Sequence, residues 1–158
     1  MGDSSALSEP ERELLLALNQ AGVRYIVVGL SASLLQGANT STQDIDLWFD
    51  DVADPRLEEA VRRTGNIWVS GSFGLGPPQI GGHAIGDKFD VVTHMHGLDA
   101  FDAEYAGTLV MDVDGVPLHV LPLERIIASK RAAGRPKDLA ALPALEEALA
   151  ALSDKDQG

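Results

Sequence analysis

Residues 24–49 read RYIVVGLSASLLQGANTSTQDIDLWF. Arg24-Tyr25-Ile26-Val27-Val28 is a short β-branched run of the kind that makes a buried strand. It stops at Gly29. Ser31 to Gln36 has the length and composition of a short helix closed by Gly37, and residues 38–43 form a polar loop. From Asp44 to Phe49 the chain alternates, with Asp44, Asp46 and Trp48 on one side and Ile45, Leu47 and Phe49 on the other. That period predicts a second strand with one face wet at its start.

Two carboxylates two residues apart on a strand point the same way, with roughly 7 Å between their Cα atoms. Acids aimed at one point repel unless something positive lies between them. Hard oxygen donors in that arrangement suit Mg²⁺ or Mn²⁺. Phe89-Asp90-Val91 sets a third carboxylate on another apolar strand, where burying an unpaired charge is expensive. Three acids from two strands can hold two metals about 4 Å apart, an arrangement used for in-line phosphoryl or nucleotidyl transfer. Upstream, Gly29 permits close backbone approach before a helix whose free N–H groups suit a phosphate, and Ser31 or Ser33 can add a hydroxyl. A phosphate cradle and a metal cradle can therefore face one cleft.

To the N-terminal side, Ser8-Glu9-Pro10-Glu11 carries a capping residue, a first-turn proline and a capping-box acid. Leu14, Leu15 and Leu18 give that helix its apolar face, and Gly22 ends it. To the C-terminal side, Asp54-Pro55 opens a helix through Arg63, and Ile67 to Val69 suits a strand. Residues 71–86 hold six Gly and two Pro in sixteen positions, which predicts a mobile loop or edge hairpin around Gln79 and Ile80 and a candidate lid. Phe89 to Thr93 is strand-like and Leu98 to Tyr105 helical. Asp114-Gly115 is the turn of a hairpin between 109–113 and 116–120. Pro122 opens a helix to Ala133, Gly134 ends it, and Pro136 begins a last helix through Leu152. The order predicts an α/β (α+β) fold: a mixed sheet covered by helices, one domain over 1–158, with the sheet core at about 24–121 and a helical tail at about 122–152.

The 158 residues suffice for one domain with a real core. There is no Cys, which excludes disulfides, thiol nucleophiles and cysteine zinc sites. Twelve Lys and Arg against 24 Asp and Glu give a formal charge of −12, unsuited to extended nucleic-acid binding. The acidic start is not a secretion signal, and no apolar run approaches the ~20 residues of a membrane helix, so a cytoplasmic protein is expected. Residues 40–60 carry seven acids and one base, whereas 125–137 carry five bases and no acid. Such a pair of segments suits a metal-complexed nucleotide, the metal facing one and the phosphates the other.

In Val28-Gly29-Leu30, a gap of thirteen, then Asp44-Ile45-Asp46-Leu47, and in Asp90 on a later strand, the chain resembles nucleotidyltransferases of the DNA-polymerase-beta type in their minimal bacterial form. Ser31-Ala32, Thr42 and the stretch from Leu123 to Leu139 look familial too, the last being similar to the tail of small relatives found in toxin–antitoxin systems. The resemblance implies transfer of a nucleoside monophosphate from an NTP to an acceptor, whether small molecule, protein or RNA terminus. It implies that Asp44 and Asp46 hold both metals and that Asp90 holds the one activating the acceptor. Gly29 and Ser31 would contact the β and γ phosphates, with Thr42 nearby, and Lys130 would steady phosphate. Leu30 stands where the family has Gly or Ser, and the loop Asn39-Thr40-Ser41-Thr42 lacks the Arg of many relatives. Those departures favour a second reading: a nucleotidyltransferase-fold protein of weak or silent chemistry acting as an interaction module, such as a toxin–antitoxin partner. Either works as a single domain, alone or as a homodimer.

Four further groups have competing readings. His94-Met95-His96 has zinc-ligand spacing but no third ligand nearby. His119 alternates with apolar neighbours like a satisfied sheet histidine, and His83 is open to a substrate role in the Gly-rich segment. Trp48 can stack a base or sit in the core. Arg131 and Arg135 have the i,i+4 spacing of a wet helix face.

Overall fold

The computed structural model describes residues 6–69, 71, 78–82, 84–86 and 88–157. Along the chain run α1 (Glu9–Gln20), β1 (Tyr25–Val28), α2 (Gly29–Leu35), β2 (Ile45–Phe49), α3 (Pro55–Arg63), β3 (Ile67–Val69) and β4 (Gln79–Gly81). They are followed by β5 (Phe89–Val92), α4 (Phe101–Ala106), β6 (Leu109–Val113), β7 (Val116–Val120), α5 (Leu123–Ala133) and α6 (Pro136–Gln157).

β1 is buried at all four positions because it is the middle strand of a five-stranded sheet ordered β5-β2-β1-β7-β6. A strand covered on both faces reads as a continuous apolar run. It pairs antiparallel with β2 and parallel with β7, and β2 pairs parallel with β5. The sheet is therefore mixed, as the order of elements predicted. β3 and β4 pair antiparallel as a separate two-stranded ribbon. On one face α1 and α3 contribute Leu14, Leu15, Leu18, Leu57 and Val61, all fully buried. α1 starts on the expected capping box, the Ser8 and Glu11 side chains each accepting the other's backbone N–H. On the other face Trp48 is buried edge-on against Phe101 of α4, so it belongs to the core and is not free to stack a base. His119 there lies flat on Tyr105 with its Nδ1 2.8 Å from Thr108 Oγ1, a satisfied sheet histidine whose pKa burial lowers.

Three boundaries differ from expectation. α2 begins at Gly29 rather than at Ser31, α4 begins at Phe101 rather than at Leu98, and α6 runs on to Gln157. Arg131 and Arg135 do not share a helical face, because α5 ends at Ala133 and the left-handed Gly134 turns the chain. Most of 71–77, together with His83, lies outside the described residues.

The two walls of the later site are tied by one buried side chain. Gln36, just past α2, donates from Nε2 to the Ala32 and Leu121 carbonyls at 3.1 and 2.8 Å. Its Oε1 accepts from the Leu123 N–H at 3.0 Å, at the first turn of α5. Gln36→Leu would leave the Leu121 carbonyl and the Leu123 N–H buried without partners. A loss of about 2–3 kcal/mol in urea unfolding is expected, against less than about 1 kcal/mol for Gln36→Glu kept protonated at low pH.

Candidate active site

β2 delivers Asp46 opposite Val28 of β1 and opposite Asp90 of β5. Residues paired in register on neighbouring strands project to the same face, so Asp46 and Asp90 meet, and their carboxyl groups hydrogen-bond. Asp44 lies just before the strand, close enough for its charge to act on Asp46. Burial first, then the charge of Asp90 and the bond to it, then Asp44, push the Asp46 carboxyl up to about 7, while the Lys130 ammonium opposes them.

The start of α2 is shaped around that carboxyl. Gly29 has φ +65°, and a Cβ placed on it would stand 2.5 Å from Asp46 Oδ2. Ser31 is buried behind this contact: its hydroxyl donates to the Val28 carbonyl at 2.8 Å and accepts the Asp46 N–H at 3.1 Å. Ser31 therefore fixes the backbone of the acid and does not line the cleft in front of it. Thr42 accepts the Asp44 N–H at 3.2 Å and holds the entry to β2.

In front of the acids opens a cleft of about 390 Å³. Gly29, Leu30, Thr42, Asp44 and Asp46 line it, together with Lys130 of α5, Arg135 between the two helices, and Lys137 and Asp138 of α6. Leu30 is part of the lining, and the hollow persists beside it. Of the acidic run 40–60, Asp44 and Asp46 face this space, whereas Asp50 pairs with Arg24, Asp54 with Arg56 and Glu58 with Arg62. Of the basic run, Arg125 is tied to Glu104 at 2.5 Å and Arg131 to Glu146. Lys130, Arg135 and Lys137 also line the cleft, the first two paired with Asp138.

His94 and His96 also line the cleft, their rings 5.0 Å apart and edge to face. They lie past the end of β5, on a segment laid against α5 at Gly97, whose Cβ would come 2.5 Å from Ala132 Cβ. Among the described residues no three His, Asp or Glu side chains are gathered as a closed metal cage. The basic run 125–137 covers Arg135 and Lys137 without singling them out for the site, and Asp138 lies just beyond it. Their signal was there in Gly134-Arg135-Pro136-Lys137-Asp138, a helix stop followed by a helix start with an acid in its first turn.

No family model and no curated protein matches the sequence. Among solved structures, the chain is similar to the antibiotic-resistance factor ANT(2″)-Ia. Its solution structure is 18% identical with a TM-score of 0.56, over 94% of this chain and 91% of that one. Its crystal structure with adenylyl-2″-tobramycin is 20% identical with a TM-score of 0.57, over 90% and 88%. The mixed sheet with its flanking helices and helical tail is a nucleotidyltransferase fold. Among the described residues no helix is long and apolar enough to cross a membrane.

Proposed function

We propose that this chain transfers a nucleoside monophosphate from a metal-bound nucleoside triphosphate to an acceptor hydroxyl. One observation carries the proposal: Asp46, in contact with Asp90 and beside Asp44, lines one cleft with Lys130, Arg135 and Lys137, and the Lys130 charge acts on its carboxyl. Acids on one side and cations on the other suit a polyphosphate that arrives with its metal. ANT(2″)-Ia, which shares the fold, has been solved with an acceptor carrying an adenylyl group.

Mg²⁺ or Mn²⁺ fits the donor set. The acids offer oxygen alone, burial and then the neighbouring acids raise Asp46, and Gly29 leaves room for its carboxylate. Mg²⁺ needs only one or two protein carboxylates when phosphate oxygens and water complete its shell, so a closed protein cage is not required. Asp44, Asp46 and Asp90 would hold it. Once bound, the ion neutralises charge on the phosphates and lowers the pKa of the attacking hydroxyl.

The rest falls to the chain itself. Lys130, Arg135 and Lys137 hold the β and γ phosphates, and the acceptor oxygen approaches the α-phosphorus from the side of Asp90 on the edge strand. A new P–O bond forms as the bond to the β-phosphate oxygen breaks. Pyrophosphate leaves with the bonding pair, and the hydroxyl proton passes to Asp90. Leu30 and the loop without Arg favour the silent interaction module instead, and titration separates the two. Calorimetry with each NTP and Mg²⁺ should give micromolar binding that vanishes in Asp44→Ala. Absence of binding at millimolar NTP would select the interaction module.

A further inference from the structure

Asp138 is the most deeply buried charged residue among the described ones, 1% exposed, yet it belongs to the cleft wall. It sits in the first turn of α6 and takes the Arg135 guanidinium in a fork: Nε to Oδ2 at 2.6 Å and Nη2 to Oδ1 at 3.2 Å. The Arg135 backbone N–H donates to the same carboxylate at 3.2 Å. Lys130, one helix earlier, brings Nζ to 3.6 Å from Oδ1. Arg135 and Lys130 repel each other, and each side chain has many rotamers in water. A fixed anion behind them removes both obstacles, so the freedom a lysine must lose on meeting a phosphate is already lost.

Resting on the nucleotidyl-transfer reading, we propose that Asp138 is a positioning residue for the polyphosphate. It acts through Lys130 and Arg135, holding both cations in the cleft they share with Asp44 and Asp46 before substrate arrives. It touches no reacting atom. Its effect belongs in affinity for the triphosphate, with little in the chemical step.

The test uses the full chain and two readouts. Acylation of lysines by an activated ester, followed by peptide mass spectrometry, reports how firmly each ammonium is held. In the unaltered protein Lys130 should label far more slowly than the exposed Lys137; equal rates overturn the inference without any variant. Asp138→Asn keeps the size and one acceptor for Arg135. It should raise Lys130 labelling several-fold, and raise KM for Mg²⁺-bound ATP about tenfold with kcat little changed. Lys130→Gln should then add little in the Asp138→Asn background. A helix-capping role alone would lower the melting temperature and leave labelling and KM where they were, which overturns the inference. A protein that binds no Mg²⁺-bound NTP removes the transfer reading, and the labelling comparison then decides by itself whether Asp138 holds Lys130.

Discussion

Asp46→Asn is expected to give a chain that holds its fold more firmly than the parent at pH 8 and loses nearly all of the proposed nucleotide transfer. The Asp46 carboxyl is pushed from its ordinary 3.8 to about 7 by burial, Asp90 and Asp44, so the folded state binds that proton more tightly than the unfolded one. Below the unfolded value both states are protonated and nothing is lost. Between 3.8 and about 7 only the unfolded state ionises, and the fold weakens as pH rises; above about 7 the loss is complete. An amide at this position carries no charge, and its NH₂ donates to Asp90 as the protonated carboxyl does. The advantage of the variant should be near zero around pH 4 and reach a plateau above pH 7. Its size is on the order of 2–4 kcal/mol, or about 5–10 °C in Tm for a chain of this length. Urea unfolding across that range measures it, and a difference that does not change with pH would refute the carboxyl contact as its cause. Millimolar Mg²⁺ should raise Tm in the parent at pH 8, with little effect at pH 5, where protons compete, and none in the variant. Transfer should fall by at least about 10³, because the lost carboxylate anchors charge stabilisation of several kcal/mol. Gaining stability by removing a carboxylate proposed to act in the reaction is the expected trade-off of a strained site.

The elements that were legible in sequence are those whose causes are local. The β-branched run of Tyr25 to Val28, the capping box at Ser8 and Glu11 and the Asp114-Gly115 turn each carry their own reason within a few residues. The mixed sheet followed from their order. The start of α2 was misplaced because its cause is remote: Gly29 opens the helix at a positive φ to clear Asp46, seventeen positions on. The partners of Ser31 are remote for the same reason. Its hydroxyl is engaged by Val28 and Asp46, which only the β1–β2 register brings together. Asp138 escaped notice because an acid in the first turn of a helix is ordinary, and its partner Lys130 lies in another helix.

Gly29→Ala should damage both the fold and the site. The left-handed φ of +65° disfavours any side chain by about 1 kcal/mol. The larger effect is the collision, since the new Cβ would stand 2.5 Å from Asp46 Oδ2 and 3.1 Å from its Cγ. Asp46 cannot retreat by its backbone, which is held by the Ser31 hydroxyl at 3.1 Å and by pairing with Val28 and with Asp90. The carboxylate must swing instead, away from the position facing Lys130. Unfolding free energy should drop by about 2–3 kcal/mol, and transfer by at least about a hundredfold, because misplacement by an ångström is enough for that. A second substitution separates collision from backbone strain. In an Asp46→Ala background the methyl at position 29 meets no carboxylate, so the penalty of Gly29→Ala should shrink to the ~1 kcal/mol of the φ alone, a coupling of about 1–2 kcal/mol. Additive losses in that double-mutant cycle would mean that the glycine is needed for its backbone only, and that the cradle around Asp46 is not what shapes the start of α2.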